Sequence, residues 1–504
     1  MQNEEKKGKV WLAGAGPGDS GLLTIKAKQV LKEADVVVYD HLVGKDILAM
    51  IRPDQKGIDV GKISGHHPIP QQEINRILAE EAGQGKKVVR LKGGDPFLFG
   101  RGGEELCELK KEGIPFEVIP GVTSALAVPA YAGIPVTHRD YVSSVHIVTG
   151  HKKKNGELEC DYQALVQTGG TLVFLMGVSA LPDIVKGLMD AGMDPEMPSA
   201  VLQEGTLSSQ KVVTAPLAEL EKAAEAEKVH PPAIIVAGEV CRLAEEISWY
   251  EQLPLAGMRI LVTRPRELLS VMADKLKKKG AEVLEVPAIR TRATDEEKLE
   301  ECLKNTAGDD WGVFSSQRIS CVFFEYLDAH GLDIRTLYRT RFAVIGEGTR
   351  KALRGYGIEA DLMPEVYEGK ELAISLTEKG VEGKRILIPR SASGNPELTE
   401  ILTASGAWVD DVPVYETLYE ECPALDIRRE IDQGRIDCVT FTSSSTVHGF
   451  AAVSEGADYS KFTAACIGRQ TMETARSYGM SCRMAEKATI DSLIELVERI
   501  GNDR

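Results

Sequence analysis

Residues 88–106, VVRLKGGDPFLFGRGGEEL, carry the densest set of structural signals in the chain. A β-branched apolar run ends at Gly93 and Gly94, which permit an open turn after a strand. Asp95 before Pro96 is typical of a helix N-cap followed by proline at the first helical position, a purely structural role if it stood alone. The further glycines and interleaved charges are costly for a simple connector. The segment therefore predicts a ligand site.

On both sides of this segment, strand-like apolar runs alternate with helix-like stretches. Such alternation predicts an α/β fold with largely parallel sheets. The length of 504 residues suits two domains of about 250 residues each. The best boundary is the connector WYEQLPLAGM at 249–258, because RILVTRP at 259–265 starts a new strand-like unit. We therefore expect domains at residues 1–250 and 257–504.

Composition excludes several classes of protein. The net charge of −16 argues against nucleic acid or an anionic membrane as a partner. The polar first residues predict no signal peptide, and no apolar run reaches the roughly 18 residues of a membrane-spanning helix. Nine cysteines without a CxxC pair indicate reduced thiols, so we expect a cytoplasmic protein. The histidine spacing shows no metal-ligand pattern, and we expect no metal.

The glycine-rich GAGPGDSGLLT at 14–24 allows two interpretations. Three glycines after a strand let a ligand approach the backbone, and Asp40 lies where a dinucleotide fold places its ribose-binding acid. The spacing GxGxG, with Pro17 and Asp19 within it, departs from the dinucleotide fingerprint. A nicotinamide oxidoreductase is therefore a weak alternative, which NADH binding would test.

A third segment, PGVTSALAVPAYAGIPVTHRD at 120–140, places Thr123 and Ser124 before an alanine-rich, helix-like run. Hydroxyls and free amides at a helix start suit a carboxylate or another anionic group. Ordinary helix caps use the same residue types, so both roles stay open.

Together these segments resemble the uroporphyrinogen-III C-methyltransferases of the tetrapyrrole methylase family, over about residues 8–250. The family fold has two α/β lobes with S-adenosylmethionine bound between them, and the resemblance implies the same bilobal fold and methyl donor here. It rests on the following motifs, in this order: GAGPGD (14–19), YDHLV (39–43), GKISGHH (61–67), QQEINRIL (71–78), LKGGDPFLFGRGGEE (91–105), PGVTSA (120–125), AYAGIPVTHR (130–139), VTGHK (148–152), LMG (175–177) and EGT (204–206).

The resemblance also implies roles for single residues. Asp40 is a candidate proton acceptor and Lys62 a candidate proton donor. Arg101 and Glu104 are the expected substrate-side pair, and Arg101 is a rival base, although an ordinary arginine with a pKa above about 12 is a poor one. Donor contacts are expected from Pro17, Gly93, Gly94, Asp95, Leu98, Thr123, Ser124, Met176 and Gly205.

The implied chemistry needs alignment and one acid–base group. An electron-rich pyrrole carbon of a porphyrinogen attacks the sulfonium methyl directly, and the ring then loses a proton. No metal is required. The substrate's carboxylates do require a local basic lining in this acidic chain. Candidates are Lys62, His66, His67, Arg90, Lys92, Arg101, His138, Arg139, His151 and Lys152–Lys154.

The rear half repeats itself loosely. RILVTRP (259–265) is echoed by RILIPRS (385–391), VFSSQRI (313–319) by TFTSSSTV (440–447), and VIGEGTRKALRGYGI (344–358) by CIGRQTMETARSYGM (466–480). In the last pair a strand ends in Ile-Gly, and a threonine follows three residues after the glycine. The echoes predict strand, tight turn and helix start, seen twice, in two similar lobes around a cleft.

These echoes and VPVYET (412–417) resemble uroporphyrinogen-III synthase, over nearly all of residues 257–504. The resemblance implies a bilobal α/β domain that closes hydroxymethylbilane into a ring with loss of water. It implies Tyr415 as proton donor to the leaving hydroxyl, with Thr349, Ser443 and Thr471 as substrate contacts. The Ser315–Ser316 pair departs from the commoner Thr-Ser form.

The product of the rear reaction is the substrate of the front one, so a bifunctional enzyme making dimethylated precorrin-2 for sirohaem or cobalamin is expected. The methylase family is commonly dimeric, and we expect a homodimer through that half. One alternative is a methylase of the same fold acting on RNA or protein, which RNA competition would reveal. Another is a rear half that only binds tetrapyrrole, which turnover of hydroxymethylbilane would exclude.

Overall fold

The first strands of the chain form sheet A. They are β1 (Lys9–Gly14), β2 (Val36–Tyr39), β3 (Lys56–Asp59), β4 (Lys87–Lys92) and β5 (Phe116–Ile119). In the computed structural model they are all parallel, in the order β3-β2-β4-β1-β5. The accompanying helices are α1 (Ile25–Glu33), α2 (Lys45–Leu48), α3 (Gln71–Gly83), α4 (Gly102–Lys111) and α5 (Ser124–Tyr131).

The structure describes residues 7–61, 69–150, 160–263, 269–286, 288–294, 296–304, 310–419 and 424–503. Within these ranges, no helix combines the length and the apolar character that crossing a bilayer requires.

Sheet B follows and departs from the expected parallel arrangement. Its strands are β6 (Val145–Thr149), β7 (Thr171–Leu175), β8 (Pro198–Gln203), β9 (Lys211–Pro216) and β10 (Ala233–Ala237), and its helices are α6 (Tyr162–Thr168), α7 (Leu181–Asp190), α8 (Leu220–Ala226) and α9 (Ala244–Ile247). The order is β6-β7-β10-β8-β9, and only β6 and β7 are parallel. The prediction of parallel strands was wrong here because no helix crosses between β8 and β9, so the chain reverses directly.

Two further sheets lie in the rear half. Sheet C contains β11 (Arg259–Val262), β12 (Glu282–Glu285), β18 (Cys438–Phe441), β19 (Thr463–Cys466) and β20 (Ser481–Met484), and sheet D contains β13 (Ile289–Ala293), β14 (Trp311–Phe314), β15 (Arg341–Val344), β16 (Arg385–Ser391) and β17 (Trp408–Tyr419). The helices are α10 (Leu269–Lys277), α11 (Glu296–Lys304), α12 (Gln317–Ala329), α13 (Glu347–Gly355), α14 (Gly369–Glu378), α15 (Glu397–Ala404), α16 (Ile427–Asp432), α17 (Ser444–Val453), α18 (Arg469–Ser477) and α19 (Ile490–Asn502).

The two rear sheets share an all-parallel four-strand order, as the sequence echoes predict: β12-β11-β18-β19 in sheet C and β17-β16-β14-β15 in sheet D. Sheet C adds β20 in parallel beside β19, and sheet D adds β13 antiparallel beside β17. Each echoed pair occupies equivalent strands: β11 matches β16, β18 matches β14, and β19 matches β15. The predicted strand, turn and helix start is present after both β15 and β19.

All four sheets bury both faces. Alternate residues of each strand enter different apolar clusters, as Val37 and Val89 do on one face of sheet A and Val36 and Val88 on the other. The same division holds for sheets B, C and D. This explains why the strands are almost continuously apolar in sequence. The predicted α/β class is confirmed.

The chain divides by compactness into two units. Unit 1 comprises Met1–Ala288 and Glu420–Arg504, and therefore holds sheets A, B and C. Unit 2 is Ile289–Tyr419 and holds sheet D. The domain boundary predicted near 250–257 concerns function rather than compactness, and it stays a prediction.

Sheet C is connected to sheets A and B inside unit 1 by polar and apolar contacts. The Lys277 ammonium donates to Ser20 Oγ at 3.1 Å, and the Ser208 hydroxyl donates to Glu282 Oε2 at 2.6 Å. Ala49, just after α2, is buried in the cluster formed by one face of sheet C. The rear sheet C is thus part of the same packed body as the front half.

Candidate active sites

Three loops of unit 1 meet at the carboxyl ends of β1, β4 and β5. Gly16 and Gly94 exchange backbone hydrogen bonds of 3.2 and 2.7 Å, which joins the first two loops. A Cβ atom on Gly121 would lie 2.2 Å from the Gly94 oxygen and 2.8 Å from the Gly14 Cα. Only glycine permits this approach, so the three loops form one backbone cradle.

Asp95 fixes that cradle from within. Its Oδ1 accepts hydrogen bonds from the Phe97 and Leu98 amides at 2.8 and 3.1 Å, as in an Asx turn. The prediction that Asp95 caps a helix beginning at Pro96 was wrong, because residues 96–100 are not helical and the next helix, α4, begins at Gly102 with Arg101 as its N-cap. The Asp95 Oδ2 accepts from the Gly121 amide at 3.1 Å and so connects the β4 loop to the β5 loop. In place of the predicted helix cap, Asp95 forms a turn and a connection between two strand ends.

The other expected donor residues border the same region. Thr123 caps α5 by accepting from the Ala125 amide, and Ser124 starts the helix. Leu98 packs on the apolar cluster that contains Leu175, the residue before Met176. A Cβ on Gly205 would lie 2.3 Å from the Val128 side chain on α5.

The loop holding Pro17 reaches the end of β8. The Asp19 amide donates to Thr206 Oγ1 at 3.1 Å, and Gly18 adjoins the Leu207 side chain. The structure thus brings Pro17 and Gly205 to one edge.

Backbone strain is concentrated at this edge. Non-glycine residues rarely adopt positive φ, and such strain is often found at functional sites. Of six such residues in the described ranges, five belong to the segments just named. They are Phe99 (φ 54°), Arg101 (φ 56°), Met176 (φ 56°), Glu204 (φ 46°) and Thr206 (φ 73°).

Asp40 lies directly after β2, beside the cradle. Its Oδ1 accepts from the Leu42 and Gly93 amides at 3.1 and 3.3 Å, and its Oδ2 lies 3.6 Å from a terminal nitrogen of Arg90. The side chain is 25% exposed, so one part of the carboxylate is open to a ligand. Asp40 therefore connects the β2 end to the glycine turn after β4.

Arg101 and Glu104 form the expected pair. The guanidinium donates to both carboxylate oxygens, at 2.9 and 2.6 Å, and both side chains are exposed. The hydrogen bond from Arg101 lowers the pKa of Glu104, and the same bond raises the pKa of Arg101 further above its ordinary value. Arg101 is thereby a poorer proton acceptor than a free arginine.

The expected basic lining is only partly available. Arg90 and Lys92 are 2% and 6% exposed, so they do not line a surface. They fall on a central strand buried on both faces, where they pair with Glu105. Arg139 is exposed and His138 is half-buried. Lys62, His66, His67, His151 and Lys152–Lys154 lie outside the described residues.

In unit 2, Tyr415 lies on β17 beside two hydroxyls. Its phenol hydrogen-bonds to the side chains of Ser316, the N-cap of α12, and Ser391, the last residue of β16. Burial raises the pKa of Tyr415 above its usual value, although the two serine hydrogen bonds oppose the shift. Thr349 is buried in the first turn of α13, where its amide donates to the Gly346 carbonyl at 3.1 Å.

The remaining synthase candidates lie in unit 1, at two adjoining helix starts. Ser443 caps α17 in a reciprocal capping box with Thr446. Thr471 is buried in the first turn of α18. The Ser444 hydroxyl donates to the Gln470 carbonyl at 3.5 Å and accepts from the Thr474 hydroxyl at 2.9 Å, which joins the start of α17 to the first turns of α18. The predicted cleft between lobes stays a prediction.

Sequence reasoning missed two sets of residues. The Glu105 partner of Arg90 and Lys92 could have been suspected, since two cations on a central strand require a buried acid. Ser391 had no comparable signal, because its nearness to Tyr415 follows from strand register alone.

Comparison with known proteins gives two family matches. Residues 9–221 match the model of the tetrapyrrole (corrin/porphyrin) methylases, and residues 270–495 match that of uroporphyrinogen-III synthase HemD. The porphyrin biosynthesis protein HemD of Ruminiclostridium josui is 44% identical over 98% of each chain. The uroporphyrinogen-III C-methyltransferase of Bacillus subtilis is 36% identical over 89% of this chain and 95% of its own. Siroheme synthase 2 of Cronobacter sakazakii is 50% identical over 49% of this chain and 53% of its own.

Proposed function

The chain belongs to the proteins that join a tetrapyrrole methylase to a uroporphyrinogen-III synthase, and we propose that it makes uroporphyrinogen III and then methylates it. Residues 257–504 close linear hydroxymethylbilane into the ring, with loss of water. Residues 1–250 transfer two methyl groups from S-adenosylmethionine to that product and give precorrin-2. The relative named siroheme synthase supports sirohaem as one end product.

The methyl-donor assignment rests above all on the glycine cradle. Gly14 and Gly121 pack so closely against the Gly94 oxygen that neither could carry a side chain, whereas a Cβ on Gly94 would meet nothing within 4 Å. The cradle is thus closed by backbone on one side and open at Gly94, which suits a ligand held by backbone groups. Free amides at the start of α5 suit the donor's carboxylate. S-adenosylmethionine, when bound, supplies a methyl group that moves to a pyrrole carbon as the methyl–sulfur bond breaks onto sulfur. The residues of the cradle hold and orient the donor for that in-line transfer.

We propose that Asp40 accepts the proton that the methylated ring loses. Its carboxylate adjoins the cradle and stays partly exposed. The alternative, Arg101, has its pKa raised by the hydrogen bond to Glu104, so the guanidinium stays protonated and cannot accept the ring proton. Lys62 keeps the proton-donor role that the resemblance implies. Arg101 and Glu104 are proposed to contact the substrate.

In the synthase half, Tyr415 is proposed to give a proton to the departing hydroxyl. Burial raises its pKa and keeps the phenol protonated. The Ser316 and Ser391 hydroxyls hold the ring in place, and their hydrogen bonds stabilise the phenolate that remains after the proton has left. Thr349, Ser443 and Thr471 lie at helix starts. The free amides there suit the carboxylates of the intermediate.

The proposal is tested by incubating the full chain anaerobically with hydroxymethylbilane and S-adenosylmethionine, followed by mass spectrometry of the oxidised products. A dimethylated type-III tetrapyrrole supports both activities. Unmethylated type-I porphyrin, the product of spontaneous closure, would refute the synthase assignment. Methylation of added uroporphyrinogen III in that case would leave the front half as a methyltransferase beside a rear half that only binds tetrapyrrole.

A homodimer through the methyltransferase half is part of the proposal. Phe97, Phe99 and Leu126 are large apolar side chains exposed beside the cradle, as is common at interfaces between subunits. Light scattering of the full chain should give twice the chain mass. The sequence gives a monomer mass of 54.8 kDa for comparison.

A further inference from the structure

A cluster of buried charges lies directly behind Asp40. Arg90 and Lys92 on β4 are 2% and 6% exposed, and Glu105 on α4 is 1% exposed. Glu105 Oε1 lies 3.3 Å from Arg90 Nε and 3.1 Å from Lys92 Nζ. It also accepts a hydrogen bond from the Gln71 side chain at 3.1 Å. Burying ions is expensive even when they are paired, so such a cluster calls for a reason beyond packing.

The Arg90 guanidinium is held on three sides by groups of the protein interior. Nε faces Glu105, and one terminal nitrogen donates to the Leu91 carbonyl at 3.0 Å and reaches the Val38 carbonyl at 3.5 Å. The other terminal nitrogen lies 3.6 Å from Asp40 Oδ2. Asp40 is the partly exposed member of this set. Because the planar guanidinium of Arg90 is held by interior groups, the nitrogen that faces Asp40 has a fixed position.

Asp40 is in turn constrained on both oxygens. Oδ1 accepts the Leu42 and Gly93 amides, and Oδ2 faces Arg90. Without Arg90, only the two amides bound to Oδ1 would oppose rotation of the Asp40 carboxylate about the Cβ–Cγ bond. The constraint matters because a small displacement of an acid–base group can lower a rate by about 100-fold.

The balance of charge in the cluster explains why arginine suits position 90. Burial, followed by the nearby charge of Arg90, lowers the pKa of Lys92 below that of an ordinary lysine. Arginine keeps its charge in such surroundings. Glu105 Oε2 has no hydrogen-bond partner among the described residues, so Glu105 is held through Oε1 by its three donors.

We propose that Arg90, anchored by Glu105, is a positioning residue that fixes the Asp40 carboxylate beside the methyl-donor cradle. The inference rests on the proposed function, since it concerns the proton acceptor of that reaction. Arg90 touches neither substrate nor donor in this role. It acts through Asp40, and its removal should slow the chemical step while leaving donor binding intact.

The test is a double-mutant cycle in the full chain, with uroporphyrinogen III and S-adenosylmethionine as substrates. Arg90→Lys keeps the charge and loses the fork. We expect its kcat to fall about 10- to 100-fold, with the KM for uroporphyrinogen III and the calorimetric Kd for the donor changed less than about threefold. In an Asp40→Asn background, Arg90→Lys should lower kcat by less than about twofold, because the carboxylate that Arg90 positions is then absent.

A merely structural role gives a different pattern. It would make Arg90→Lys equally costly in both backgrounds, and that result would overturn the inference. The matched control is Glu81→Gln, which alters another buried ion-paired carboxylate of the front half, bonded to Lys56 and Lys86, and should lower Tm without lowering kcat. If Arg90→Lys does not fold, Glu105→Gln replaces it in the same cycle, with the same expected coupling to Asp40.

The failure of this inference is distinct from failure of the proposed function. A native chain that does not methylate uroporphyrinogen III refutes the function and the inference with it. A native chain that methylates it, with an Arg90→Lys cost independent of Asp40, refutes the inference alone.

Discussion

Asp40 shows how a single carboxylate can be held for use. Backbone amides bind one oxygen, a buried guanidinium faces the other, and a quarter of the side chain stays open. A group held in this way loses little orientational freedom when a substrate arrives. Asp40 therefore contributes to proton transfer through its fixed position, and a substitution can lower the rate without weakening ligand binding.

Asp40→Asn should reduce the kcat of methyl transfer by about 100- to 10,000-fold, because the amide cannot take the ring proton. Donor affinity should change less than about threefold, since Asn retains an oxygen for the Gly93 amide. Initial rates and calorimetry measure the two effects. Asp35→Asn is the matched control: Asp35 precedes the same strand, binds the Lys87 amide at 2.8 Å, and should leave kcat unaltered. An active Asp40→Asn enzyme would contradict the assignment.

Asp46 in α2 is a second buried carboxylate with a measurable consequence. Burial raises its pKa from 3.8 to about 6, despite a hydrogen bond from Ser20 and the charge of Lys277; Glu282 adds to the increase. Above pH 6 the native state must hold this charge in the interior. The resulting penalty grows as pH rises from 3.8 to 6 and is constant above that.

Asp46→Asn should remove this pH-dependent penalty. Between pH 5 and pH 8 the variant should gain about 1 to 1.5 kcal/mol in the free energy of unfolding relative to the native chain. Urea denaturation at the two pH values measures the change. The exposed Asp274 provides the control, and Asp274→Asn should show no such gain. If the free energies of unfolding of the variant and the native chain differ by the same amount at both pH values, ionised Asp46 is not the cause of the difference.

At the scale of elements, the strand-end loops after β1, β4 and β5 are rigid because their backbones touch. Gly121→Ala would press a methyl group against the Gly94 carbonyl and the Gly14 backbone, atoms that cannot rotate away. We expect donor affinity to fall at least 10-fold and stability to fall by about 1 to 3 kcal/mol. Calorimetry and thermal unfolding measure these two changes.

Gly83→Ala is the control for the cradle variant. Gly83 ends α3, and a Cβ there would meet nothing within 4 Å. This substitution should stabilise the chain by about 0.5 to 1 kcal/mol and leave donor binding unchanged. Normal donor affinity in Gly121→Ala would show that the donor does not use the cradle.

Elements were also where sequence reasoning succeeded best and failed most clearly. The strand and glycine turn were predictable at β4, and the strand, turn and helix start at β15 and β19, because turn chemistry is local. The helix start expected at Pro96 was wrong, since α4 begins at Gly102. The antiparallel strands of sheet B and the burial of Arg90 and Lys92 were not, because both depend on which strands become neighbours. The joining of Asp95 to Gly121 and of Tyr415 to Ser391 likewise depends on register between distant segments.

At the scale of the whole molecule, unit 2 is an insertion with adjacent ends. Ile289 and Tyr419, its first and last residues, are paired on neighbouring antiparallel strands β13 and β17. Insertions with close ends can often be removed without unfolding their host. Unit 1 keeps complete apolar clusters on both faces of sheets A, B and C.

Replacing residues 289–419 with a short Gly/Ser linker should therefore leave a folded methyltransferase. We expect methylation of added uroporphyrinogen III within about threefold of the native rate, and no cyclisation of hydroxymethylbilane, since Tyr415 and Thr349 are removed. Cutting the chain after residue 257 is the contrasting variant: it exposes Ala49 and Asp46, so its Tm should be lower than that of the linker variant. Equal Tm values would mean that sheet C contributes nothing to the stability of the front half.

The same insertion shapes the order in which the chain becomes complete during translation. Ile260 of β11 pairs with Cys438 of β18, so sheet C stays open until unit 2 has left the ribosome. At 5–20 residues per second, a nascent chain displays that unpaired edge for about 10 to 35 s. Exposed strand edges recruit other strands. We therefore expect chaperones to bind the nascent chain while unit 2 is being synthesised, after sheets A and B are complete and before β18 is made.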